Sequence, residues 1–259
     1  MTFAIIAALV FGLIIGSFLN VCIFRIPREK SIVNPPSSCP GCDTPIKPWD
    51  NIPVISYLFL AGKCRKCGQK ISLRYPAVEL LNALLYIAAT LQFGMGWHLP
   101  LILAFISAMI VITFIDLDFQ IIPDVITVPG MIVGLAASHF LFPDPFAKDS
   151  LLGFVNSIIG LLSGGISFYL IAYLSRGGMG GGDVKMMAMV GTFMGWKGVL
   201  LTTLIGSLTG SLVGVGLMIF KGAGRKTKIP FGPFLSLGSL ATLFFGQIIL
   251  EWYLPGRIG

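Results

Sequence analysis

Two cysteine pairs and a handful of aspartates carry most of the chemistry this chain could perform. Cys39-Pro-Gly-Cys42 and Cys64-Arg-Lys-Cys67 are C-x-x-C knuckles with 21 residues between them. Four thiolates at that spacing can close tetrahedrally around one Zn²⁺, as in a zinc ribbon. Gly41 and Gly68 supply the tight backbone a knuckle needs. A four-thiolate shell leaves no open position for a reacting group. The two histidines, His98 and His139, are expected near the opposite membrane face from the cluster, and no H-E-x-x-H motif occurs. The expected zinc is therefore structural, holding Cys39, Cys42, Cys64 and Cys67 in a segment too small to build its own core. Disulfides are the competing use of these thiols, disfavoured in a reducing cytoplasm. Cys22, in an apolar run, reads as a small buried hydrophobe.

The acids are few, so their placement is informative. Of 11 Asp and Glu residues, Glu79, Asp116, Asp118, Asp124 and Asp183 fall at expected inner ends of apolar runs. Asp116 follows Val111-Ile-Thr-Phe-Ile115 without a break, and Asp183 follows Gly180-Gly-Gly182 and precedes Val184-Lys185. Two carboxylates that share a site cannot both ionise easily. The ionised one can draw a proton from water while its protonated partner polarises a peptide carbonyl, as in aspartic proteases. Asp116 and Asp183 are candidates for such a pair, with Asp118, Asp124, Gly180 and Lys185 as accessory candidates. The bland alternative is a set of helix-boundary charges. Asp124 in particular is placed to cap a helix starting at Val125 after the Pro123 break.

What must position these groups is a set of membrane helices. The 259 residues are 55% hydrophobic and 11% charged, against about 25% charged in an ordinary soluble domain. Lipid must cover much of such a chain. Runs of about 20 apolar residues give eight expected spans: 3–24, 77–93, 100–115, 125–142, 151–174, 184–197, 198–220 and 231–253. Phe3 to Phe24 ends in Arg25-Ile-Pro-Arg28 and reads as a retained span, not a cleaved signal. The net charge of +7 is no argument for nucleic acid, because the basic residues cluster beside the spans. Nine of the 18 lie between Arg25 and Arg74, and four between Lys221 and Lys228. With the N-terminus outside, 15 of the 18 fall on the cytoplasmic side, and only Lys148, Lys197 and Arg257 do not, in accord with the positive-inside rule. The fold expected is an all-α polytopic membrane protein with a small cytoplasmic zinc-ribbon-like insert between its first two spans. Both Asp116 and Asp183 then lie at the cytoplasmic face.

The motifs, in their order, resemble one family. They are Gly16-Ser-Phe-Leu-Asn20 with Arg25-Ile-Pro27, the paired C-x-x-C, and Pro48-Trp-Asp-Asn-Ile-Pro53-Val-Ile-Ser56-Tyr57. Next come Arg74-Tyr-Pro-Ala-Val-Glu79, the Asp116 run, G-x-G-D ending at Asp183 with Lys185, and Ile229-Pro-Phe-Gly-Pro233. Together they resemble the type IV prepilin peptidases over essentially the whole length. The resemblance implies a G-x-G-D aspartyl protease with Asp116 and Asp183 as its pair. It implies cleavage of the basic leader of prepilins and type II secretion pseudopilins after a Gly, at the cytoplasmic face of the bacterial inner membrane. It further implies methylation of the new N-terminal residue with S-adenosylmethionine, a function associated with the insert and its flanks. By the same resemblance Glu79 and segment 16–20, on the flanks of the insert, are candidates for the methyl-donor site; no G-x-G-x-x-G loop is present to mark one. The implied division is a first helix, 1–24, a zinc-binding insert linked to methyl transfer, 25–76, and a membrane peptidase, 77–259. A proton-coupled transporter and a non-catalytic assembly scaffold are the rival classes. Against the first, the acids gather at one face and no inverted repeat is visible.

Overall fold

A computed structural model describes residues 1–147, 150–175, 178–221 and 229–253. Lys148, Arg176, Arg257 and residues 222–228, which hold most of the second basic cluster, lie outside the described residues. The described chain is helical without named strands: α1 (Thr2–Arg25), α2 (Ile55–Phe59), α3 (Arg74–Phe93), α4 (Leu99–Phe119), α5 (Asp124–Ser138), α6 (Phe154–Leu174), α7 (Gly181–Lys221) and α8 (Gly232–Tyr253). Helices are the natural form for such sequences, since a spanning helix satisfies its own backbone groups where no water can.

Six helices among the described residues are long and apolar enough to cross a membrane. A further apolar helix, α5, has 15 residues and contains Pro129, shorter than the expected 125–142. The expected spans 184–197 and 198–220 form one 41-residue helix that breaks at Gly195, where φ is 65° and ψ is −175°. Only a glycine takes that backbone without strain. Counted as arms, α7 restores the eight apolar segments. Outward side chains such as Phe11, Ile166, Leu204 and Phe245 are more than half exposed, which is the surface lipid must cover.

The chain forms two compact units, Met1–Val111 and Ile112–Gly259. The division falls within α4, whereas the functional division expected from the sequence falls at 76/77. In the first unit α3 runs along α1. Built Cβ atoms at Gly12 and Gly16 would run into the backbone of Ala83 and Glu79, so these helices touch main chain to main chain, as small residues allow in lipid. Asn82 Nδ2 donates to Gly12 O at 2.8 Å and Asn20 Nδ2 to Tyr75 O at 3.1 Å. Tyr86 and Ser107 hydroxyls pair at 2.9 Å, and Ser107 donates to Asn82 Oδ1 at 3.3 Å.

In the second unit the first arm of α7 is central. Met186, Met187, Met189, Val190, Phe193 and Met194 on it are all buried. Gly191 lies against the Gly160 backbone of α6, Gly130 of α5 against Met189, and Ser157 donates to Thr192 O at 2.7 Å. The second arm packs on α8, with Gly238 against the backbone of Thr202. The buried arm begins at the G-x-G-D motif. Its packing fixes where Asp183 sits.

Candidate active site and metal centre

Asp116 is in the last turn of α4 and only 5% exposed. Its Oδ2 accepts the N–H of Gly232 at 2.9 Å, and Gly232 opens α8. Asp183 is the third residue of α7 and is also buried. Its Oδ2 accepts the Gly180 N–H at 3.2 Å, while its own N–H donates to Gly180 O at 3.2 Å. The side-chain bond is one half of a capping box, an acid at the third helical position reaching back to the cap, while Gly180 offers its backbone carbonyl in place of a capping side chain. Each acid thus sits on a helix N-terminus, where unpaired N–H groups and the helix dipole favour a negative group. The two acids, 67 positions apart in sequence, fall in the same compact unit, Ile112–Gly259.

The surroundings explain the glycines. A Cβ at Gly182 would lie 2.8 Å from Ile122 Cβ, so the turn after α4 rests directly on the start of α7. A Cβ at Gly232 would lie 2.7 Å from Asp116 Oδ2 and 3.1 Å from its Cγ. Gly232 is the residue the sequence did not single out for a role. The signal was present in Ile229-Pro-Phe-Gly-Pro233, but nothing local says which acid its N–H meets.

Of the accessory residues, Gly180 binds Asp183 directly. Lys185 Nζ meets Asp124 Oδ2 at 2.6 Å, both side chains largely exposed, tying α7 to α5. Asp124 is not the cap expected from the sequence: Pro123 occupies that position, Asp124 is the first helical residue, and its carboxylate turns to Lys185. Asp118 is exposed at the end of α4.

The four cysteines gather, with all their sulfurs within 4.8 Å of one another. Cys39 and Cys67 sulfurs are 3.7 Å apart, Cys42 and Cys64 sulfurs 4.0 Å. Four sulfurs at Zn–S bonds of about 2.3 Å stand roughly 3.8 Å from each other, so the cluster fits zinc. Each knuckle is set by backbone bonds: Asp43 N–H to Cys39 O and Cys39 N–H to Thr44 O, then Gly68 N–H to Cys64 O and Cys64 N–H to Gln69 O. Hydrogen bonds from the Thr44 hydroxyl and backbone lower the Cys42 thiol, whereas burial and the neighbouring sulfurs raise that of Cys67. Arg65 clasps Asp50 with three N–H···O contacts of 2.6 to 3.1 Å. Those hydrogen bonds hold the Asp50 carboxyl below its usual range. The clasp's stability is thus present above the unfolded carboxylate pKa and lost as pH falls through the lowered one.

Glu79, in the first unit, is buried in α3. Its Oε2 accepts the Val54 N–H at 2.7 Å, and Ser17 of α1 also bonds the carboxylate. Val54 has φ 61° and ψ −48°, and Ile55 N–H closes on Pro53 O at 2.6 Å. This is a γ-turn with positive φ at a β-branched residue, a strained arrangement. Glu79 pins that turn to the α1–α3 pair, a structural task the sequence did not reveal. Relieving the positive φ gains about 1–3 kcal/mol, against up to about 1 kcal/mol lost to glycine's chain entropy. Val54→Gly is therefore expected to make the insert more resistant to proteolysis. Glu79→Ala, which strands the Val54 N–H at a cost of about 1 kcal/mol or more, is expected to make it less so.

Comparison with known proteins agrees in both halves of the chain. Residues 10–93 match the bacterial peptidase A24 N-terminal domain, and residues 103–215 match the type IV leader peptidase family. A Prepilin leader peptidase/N-methyltransferase of Pseudomonas aeruginosa is 36% identical, the match covering 96% of this chain and 93% of that one. One of Aeromonas hydrophila is 36% identical over 94% and 91%, and one of Bacillus subtilis 34% identical over 96% and 98%. No solved structure gives a significant match. With relatives of 34–36% identity matched along almost their full length, the chain belongs to the type IV leader peptidase family.

Proposed function

We propose that this multi-pass membrane protein removes the leader of type IV prepilins and type II secretion pseudopilins and then methylates the new N-terminus. Asp116 and Asp183 are the catalytic pair, acting at the cytoplasmic face of the inner membrane. The carrying observation is that these two acids, from α4 and α7, are both buried within one compact unit where the turn after α4 rests on the start of α7, each fixed by one backbone N–H. Family membership supports a protease with methyltransferase activity.

In the reaction, one carboxylate takes a proton from a water molecule as its oxygen attacks the scissile carbonyl carbon. The other, protonated, donates to the carbonyl oxygen. Proton return to the departing nitrogen breaks the C–N bond, leaving a carboxylate on the leader and a free amine on the pilin. The substrate's apolar helix lies in the bilayer while its basic leader stays in the cytoplasm, and the membrane sets the depth of the scissile bond. The nine basic residues between Arg25 and Arg74 support this orientation, since such clusters beside spans stay on the cytoplasmic side.

S-adenosylmethionine, when bound, supplies the methyl group. The insert 25–76 is assigned to that half-reaction, with Zn²⁺ held by the four cysteines as its structural centre. Glu79 contributes by holding the Val54 turn, so a part in forming the methyl-donor site is assigned to it through the shape of the insert.

Purified protein in detergent, incubated with a prepilin-type substrate, tests the proposal by mass spectrometry. The leader is expected to be lost without a cofactor, and one methyl group's mass gained only with S-adenosylmethionine. Failure to cleave any leader-bearing substrate refutes it. Gly232→Ala offers a finer probe, because its Cβ displaces the Asp116 carboxylate. Misplacing a catalytic group by about 1 Å costs on the order of 10²-fold. Turnover is expected to fall by that order with substrate affinity held, which single-turnover kinetics separate.

A further inference from the structure

The insert exposes an apolar face that a water-facing segment of this size would not keep. Trp49 is 61% exposed, Leu58 71% and Phe59 86%, with Ile52 and Ile55 nearly half exposed beside them. Four of these, with Arg65 and others, line a cavity of about 340 Å³. The face is ordered from beneath: Ser56 Oγ accepts the Ile52 N–H at 2.9 Å and donates to Trp49 O at 2.8 Å. Patches of this kind mark an interaction surface.

Its depth is fixed by one hydrogen bond. Val54 N–H reaches the carboxylate of Glu79, which lies five residues inside α3 from Arg74. At 1.5 Å per residue that is about 7.5 Å below the start of the helix. The turn between Trp49 and Ile55 is thus drawn down along the helix pair to where headgroups meet acyl chains. A tryptophan, a phenylalanine and branched aliphatics at that level are the usual interfacial anchors. Charge agrees. Residues 43–70 hold five basic side chains, Lys47, Lys63, Arg65, Lys66 and Lys70, against Asp43 and Asp50. Lys47 Nζ stands 5.3 Å from the centre of a Trp49 ring, beside the apolar side chains. Basic groups next to buried interfacial aromatics attract anionic headgroups, by about 1 kcal/mol each.

We propose that the Trp49–Phe59 face of the insert lies in the headgroup layer of the protein's own membrane and binds anionic phospholipid there. The insert is then clamped at three places: its two helical ends and this face.

The test uses the full chain with Trp97, Trp196 and Trp252 replaced by Phe, so that Trp49 alone reports, in nanodiscs with or without phosphatidylglycerol. Trp49 emission is expected to be blue-shifted and quenched by a headgroup-level spin label more than by one at the acyl terminus. Phosphatidylglycerol is expected to strengthen that quenching at least about twofold. Lys47→Gln with Lys63→Gln and Lys70→Gln removes the phosphatidylglycerol effect, while retained zinc shows the insert still folded. Quenching by acrylamide but not by lipid overturns the proposal. So does shielding from both, which points to a second copy or another protein, and so does lipid quenching indifferent to phosphatidylglycerol. A saturable Trp49 response to S-adenosylhomocysteine without lipid quenching also overturns it, in favour of a nucleoside site.

Discussion

Asp116→Asn and Asp183→Asn are each expected to lower leader cleavage by ~10³-fold or more, within the range that positioned acid–base groups contribute. The substitutions are chosen for what they leave intact. An asparagine oxygen still accepts the N–H of Gly232 or Gly180, so α8 and α7 keep their first-turn partners. Thermal unfolding should then stay within a few degrees of the parent, and the loss belongs to chemistry. Because the acids act as a unit, the double variant should be little worse than either single one. Methylation of a substrate supplied without its leader should continue at the parental rate. Cleavage by either single variant at the parental rate removes that acid from the mechanism.

Removing zinc is expected to have the next largest effect, confined to the insert. Structural zinc contributes apparent binding energies of about 10–16 kcal/mol in small zinc domains, more than 48 residues between α1 and α3 can replace by apolar burial. Metal analysis should find about one zinc per chain. Cys39→Ser with Cys64→Ser, one ligand from each knuckle, should abolish it and open the insert to protease between Arg28 and Arg74. Methyl transfer is expected to fall below detection, while leader cleavage persists within a few fold. The first unit should still hold together, since Asn82 to Gly12 and Tyr86 to Ser107 join helices without help from the insert. A chain with no zinc and four titratable thiols there contradicts the assignment.

The legible parts of this protein were those written in short stretches. The spanning helices follow from hydropathy because lipid permits little else, eight apolar runs being expected where six long helices and the shorter α5 stand, and the cysteine cluster follows from two knuckles whose spacing is itself the geometry. Asp116 and Asp183 stand out because acids are scarce in apolar runs. What stayed hidden was closed through space. Asp116 takes its N–H from Gly232, 116 residues away, and no local pattern announces that. Asp124 follows a proline and reads as a cap, yet Lys185, brought alongside by the α5–α7 packing, claims its carboxylate. That Glu79 also holds the strained turn at Val54 was hidden too, because the two are 25 residues apart. The break at Gly195 was half legible: two spans were expected there, but not that they would run on as one helix.

That break has a bearing on how the chain tolerates change in length. Each residue added to an α-helix rotates everything beyond it by about 100°. Between Asp183 and Gly195 a single insertion would therefore swing the acid away from Asp116 unless the whole buried arm turned with it. Beyond Gly195 the helical phase is reset, so a change in the lipid-facing arm leaves the orientation of the acid untouched.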